Sequence, residues 1–171
     1  MRIGQSETTE KNTLEKQIVD AAKAGKDVKP IADRYYAKLL SKYLSDNCLL
    51  ILHKWNNLEF NSFIDELIRL CPSSEFVRTQ TDYSLSVAIR CGSVSLLIKA
   101  MFSDDGNCNC ELVYENQFVA QPNFYDASSF ADFINAVPKL FRRWEATWKR
   151  ILHKAMVESK RQKLTDIALD R

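Results

Sequence analysis

Cys108-Asn109-Cys110 is the only close cysteine pair in the chain, and on an extended segment its two thiols point to the same side. Two such sulfurs could form half of a zinc site, but a structural zinc normally takes four ligands, often from two paired knuckles. Cys48, Cys71 and Cys91 are isolated, and His53 and His153 fall in separate segments. Alternation of Cys108 and Cys110 with Asn109 and Glu111 fits two small inward-facing residues instead. No metal ligand is assigned.

General acid–base chemistry needs His, Asp or Glu held beside a reacting group. His53 follows an apolar run and His153 sits between Leu152 and Lys154, positions typical of boundary or surface residues. Asp104 and Asp105 precede Gly106, where a turn favours aspartate for backbone reasons. The chain carries no nucleophile elbow, phosphate-binding glycine loop, dinucleotide fingerprint or paired metalloprotease histidines. Neither a catalytic nor a cofactor-binding residue is assigned, and no cofactor is expected.

The stronger signal is charge. Between Lys139 and Lys163 nine Lys or Arg face two acids, a net +7, whereas the whole chain carries only +2, leaving −5 elsewhere. Lys139, Arg142, Arg143, Lys149, Arg150 and Lys154 fall opposite an apolar stripe of Leu140, Phe141, Trp144, Trp148, Ile151, Leu152, Ala155 and Met156. Such an array can neutralise phosphates and release counterions, the source of sequence-independent nucleic-acid affinity. The same array suits an acidic protein surface, anionic lipid headgroups, or plain solvation. Aromatic residues do not interleave with the cations on the basic face, which weakens the case for stacking on single strands. Trp144 and Trp148, spaced i, i+4, either plug a sheet face or, with Ile151, Leu152 and Met156, engage a partner protein.

Elements must hold these groups in place. At 171 residues, with 46% hydrophobic and 27% charged residues, the chain has the composition of one globular domain. Residues 1–11 are polar and expected to be mobile, and 12–171 are expected to form a single domain. Its parts would be a helical region (12–72), a sheet (75–121) and C-terminal helices (127–165). Asn12 with Glu15 forms a capping box for a first helix, Gly25 ends it, and Asp27 caps a second in which Pro30 sits in the first turn. Ser45-Asp46-Asn47 breaks that pattern. Segment 48–55 is ambiguous between helix and strand, with caps at Asp46 and Asn47 favouring helix. Asn61 begins a further helix that Pro72 stops.

From Glu75 the apolar period becomes 2. Tyr83, Leu85, Val87, Ile89 and Cys91 form a strand, Val94 to Phe102 its partner, Cys108 to Tyr114 the next, and Phe118 to Ala120 a short last one. Ser129 with Asp132 caps a short helix, and Pro138 implies a kink or fresh start before a long basic helix to about residue 163. The fold class expected is α+β: N-terminal helices, an antiparallel four- to five-stranded meander, and a basic amphipathic C-terminal helix on one sheet face.

No export signal follows Arg2, no apolar run approaches a membrane span, and five unpatterned cysteines suit a reducing, cytoplasmic setting. The function expected is a noncatalytic protein-interaction or assembly module that self-associates or binds a protein partner. The alternative is nucleic-acid binding by the basic helix face, and a third is a small enzyme or ligand carrier with a pocket between sheet and helices.

Overall fold

The computed structural model describes residues 3–51 and 56–169. Among them are four α-helices and one five-stranded sheet, an α+β fold. The helices are α1 (Ile3–Lys23), α2 (Lys29–Asn47), α3 (Asn57–Leu70) and α4 (Ala127–Leu169). The strands are β1 (Glu75–Gln80), β2 (Ser84–Cys91), β3 (Val94–Phe102), β4 (Cys108–Tyr114) and β5 (Gln117–Ala120). Contacts divide the chain into two compact units, one of residues 36–141 and one of residues 1–35 with 142–171, so α2 and α4 contribute to both.

The sheet is an antiparallel meander in the order β1-β2-β3-β4-β5. Tight turns set its register. Gly92 adopts φ 63° in the two-residue link that pairs Cys91 with Val94, and Glu115 and Asn116 take positive φ between β4 and β5. The strict period of 2 sends Leu85, Val87, Ile89, Leu96, Ile98, Cys110 and Leu112 to one face, where all are buried.

Helices cover that face. Phe63 of α3 lies 5.7 Å from Phe130 of α4, and Phe130 lies 5.5 Å from Phe133, ring centre to ring centre. Phe141 of α4 meets Tyr114 of β4 and Tyr36 of α2, each at 5.2 Å. Asn135 donates to the Leu70 carbonyl at 3.1 Å, tying α4 to the end of α3. The space between sheet and helices is filled by these rings, with Phe60, Phe63, Phe130 and Phe133 all buried.

Several boundaries differ from the sequence expectation. The first helix starts at Ile3 rather than at an Asn12 cap, because no Gly or Pro between residues 5 and 12 stops it growing backwards. Gly25, at φ 69°, does follow its end, and Asp27 accepts from the Lys29 amide at the start of α2. That helix runs through Ser45 and Asp46, since Asn47 bonds back to the Tyr43 carbonyl and the Cys48 amide to that of Leu44. Residues 49–51 are extended, not helical: Ile51 donates to Phe124 and Asp126 to Leu49, around a bridge from Leu50 to Tyr125. Residues 52–55, with His53 and Trp55, lie outside the described residues.

Helix α3 starts at Asn57, four residues before Asn61, because Asn56 accepts from the Glu59 amide as its N-cap. Asp126 caps α4 by accepting from the Ser129 amide, so Ser129 sits inside the first turn rather than at the cap. Pro138 produces no fresh start. The helix continues through it for 43 residues, roughly 64 Å at 1.5 Å per residue. Val137, Leu140 and Phe141, all buried, hold the turn around the missing hydrogen bond. Pro138 itself faces Gly92, where an added Cβ would come within 3.4 Å.

Candidate functional site

The unit formed by residues 1–35 and 142–171 has its own apolar centre. Leu14 and Ile18 of α1 meet Ile151 and Ala155 of α4, with Val19, Val28, Ile31, Tyr35, Trp148 and Leu152 packed around them. Spacings of three and four residues on both helices bring these side chains to facing stripes. Between residues 148 and 155 the apolar side of α4 is taken by α1 and the first turns of α2, and the opposite side is presented to solvent.

That opposite side carries the cations. Arg142, Arg143, Lys149, Arg150 and Lys154 are all exposed, and so are Lys160 and Arg161. At about 100° per residue these seven lie within an arc of about 140°, and Arg142 to Arg161 spans about 28 Å. Lys149 pairs with Glu145 at 3.0 Å. The other six have no acidic partner among the described residues. Lys139, exposed as well, lies in the other unit. Lys160 and Arg161 belong to the basic segment counted from sequence but not to the face assigned there, although their positions, eleven residues beyond Lys149 and Arg150, repeat the same side of the helix.

The residues expected to meet a partner protein are used differently. Ile151 is buried, and Trp148 and Leu152 pack against the α1 and α2 cluster, so none of the three forms an open docking face. Trp148 therefore packs within a helical cluster. Trp144 is half-buried, and Met156, 52% exposed, alone of that group stands in solvent. Beside the cationic arc, Val19, Ile151 and Ala155 floor a groove of about 290 Å³ rimmed by Glu15, Arg150, Lys154 and Glu158. A second groove of about 390 Å³ shares Val19, Ala155 and Glu158, and reaches Lys23, Arg161, Gln162 and Thr165.

The other chemically suggestive groups have structural roles. Asp105 accepts from the Ser103 hydroxyl and from the backbone and side-chain amides of Asn107, which holds its carboxyl below the usual range and closes the β3–β4 turn. Cys108 and Cys110 are both buried on the inner sheet face. Burial pushes the Cys110 thiol up, and the hydrogen bond between the two draws the Cys108 thiol down. Among the described residues no three His, Cys, Asp or Glu come together as a metal site. His153 is exposed on α4. Among those residues, too, no helix is long and apolar enough to cross a membrane.

No family model, curated protein or solved structure matches the chain.

Proposed function

We propose that the chain is a noncatalytic binding module that holds nucleic acid by its phosphates along residues 142–161 of α4. One observation carries this reading: six exposed cations, without acidic partners among the described residues, share one side of a helix whose other side, at Ile151 and Ala155, is packed against α1. Unpaired surface cations repel one another and lose that cost when a polyanion supplies the counter-charge. No Phe, Tyr or Trp falls within the arc, so the expected contact is with backbone phosphate and not with stacked bases.

Fluorescence anisotropy with labelled duplex DNA and RNA, across a salt series, tests it. Six phosphate contacts to duplex DNA predict a log–log salt slope of about −5. Arg142→Glu combined with Arg143→Glu should weaken binding and flatten that slope by about 2, with the circular dichroism spectrum unchanged. Absence of binding at low salt, or binding indifferent to the double substitution, would overturn the reading.

A second reading, self-association as an assembly module, is favoured by a different observation. The interface expected along Trp148, Ile151 and Leu152 is occupied by α1 and α2, but β1 is an edge strand of the sheet.

A further inference from the structure

The two edges of the sheet are not alike. Strand β5 has four residues, and its pairing with β4 shifts register between Leu112 and Val113, which blunts it as a template. Strand β1 pairs with β2 in unbroken register over six residues, from Glu75↔Arg90 to Gln80↔Leu85. Its sequence, EFVRTQ, has no lysine, proline or glycine, and of its two charged residues Arg78 is paired with Asp65 of α3.

Hydrogen bonding at the hairpin fixes which amides point outwards. Thr81 donates to the Ser84 carbonyl and Phe102 to that of Tyr83, so Ser84, Ser86, Ala88 and Arg90 of β2 turn to β1. Their partners Thr79, Val77 and Glu75 turn inwards, and Phe76, Arg78 and Gln80 present amide and carbonyl to the open side. Among the described residues none of these three has a backbone partner there.

We infer that this edge is completed by a second copy of the chain, β1 against β1 in antiparallel register about a two-fold axis through Val77. The inference rests on the self-association reading and is independent of nucleic-acid binding. In this register Val77 opposes Val77 of the second copy, Glu75 opposes Thr79, and Phe76 opposes Arg78. No like charges meet, and Phe76 and Arg78, the residues with outward amides, form the hydrogen-bonded pairs. Shifting the axis by one residue to Arg78 would set two guanidinium groups face to face, which is unfavourable.

The outer face of the sheet adds the apolar term. Val77, Ala88, Leu97, Val113 and Phe118 are register partners, one from each strand, and make a continuous row across the sheet. Val77 ends that row at the open edge and is 62% exposed. Across the axis two Val77 side chains would sit on a non-hydrogen-bonded pair, with Cα atoms about 4.5 Å apart. The row then runs unbroken through both copies.

Sedimentation velocity on the full chain, from low to high micromolar concentration, tests the inference. A dimer is expected. Val77→Lys should raise its dissociation constant by about tenfold or more, because two ammonium groups oppose each other at the axis. Phe118→Lys is the control: Phe118 is 58% exposed on the same face but at the other edge, and its replacement should leave the dimer intact. Mixing Val77→Lys with Val77→Glu should restore association as a heterodimer, which a folding defect in either variant could not do. A wild-type chain that stays monomeric overturns both this inference and self-association. A dimer indifferent to Val77, or a lysine–glutamate mixture that fails to pair, overturns the β1 axis alone.

Discussion

Burial and hydrogen bonding, more than residue type, decide what each polar or reactive side chain here does. Cys48 and Cys71 illustrate this, with both thiols pushed by burial from 9.0 up to about 11. Their Sγ atoms face the Ser129 and Ala131 carbonyls at the start of α4, at 3.5 and 3.6 Å, so each keeps its proton as a core residue would. A thiol whose folded pKa is raised holds its proton more tightly in the native state. Its contribution to stability is complete below the unfolded value of 9.0 and is lost as pH rises towards about 11. The urea midpoint should therefore fall across that window, and Cys71→Ala should fall less steeply than the parent chain. An equal decline in both would mean that other groups set the alkaline limit. Sequence alone could place these cysteines in the core from their apolar surroundings, but not the carbonyls they face, which are supplied from 60 and 81 residues further along the chain.

Among the elements, those governed by local periodicity were legible and those governed by distant partners were not. The meander follows from alternation at Leu85 to Cys91 and Val94 to Phe102, together with turns at Gly92 and Gly106 that tolerate positive φ. Residues 49–51 have no such local signature, because their pairing partners lie at 124–126. Helix α3 carried a readable signal that apolar spacing outweighed: Asn56 followed three residues later by Glu59 is a capping pair. Asn56 Oδ1 accepts from the Glu59 amide at 2.9 Å and satisfies one of the orphan donors of the first turn. Asn56→Ala should cost about 1 kcal/mol in urea unfolding, and Asn56→Asp or Asn56→Ser should restore most of it. An effect of Asn61→Ala larger than that of Asn56→Ala would move the start of the helix back to where apolar spacing puts it. The basic side of α4 was legible for the same reason as the meander, since it depends only on spacing within one helix. Its apolar stripe was legible in the same way, but not what covers it, because the residues that meet Ile151 and Trp148 come from α1, more than a hundred residues away in sequence.

For the molecule as a whole, the two units differ in how much core each encloses. Residues 36–141 bury the inner face of β2, β3 and β4 together with Tyr36, Phe60, Phe63, Phe130, Phe133 and Phe141, whereas the other unit centres on Leu14, Ile18, Ile151 and Ala155. A small core leaves little margin, so the helices that carry the cationic arc should be the first to open. Ile18 is fully buried at that centre, and Ile18→Ala should cost about 2–5 kcal/mol locally through lost burial and the cavity left behind. Hydrogen exchange gives this a clear readout. Amides of residues 13–23 and 148–160 should exchange faster in Ile18→Ala by a factor matching that loss, while those of β2, β3 and β4 keep their protection. Equal acceleration in β3 would show that the chain opens as one cooperative body and that the contact boundary has no energetic counterpart. With selective acceleration, anionic polymer bound along α4 should slow exchange in 148–160 and leave β3 unaffected, because a ligand protects only the opening that releases it.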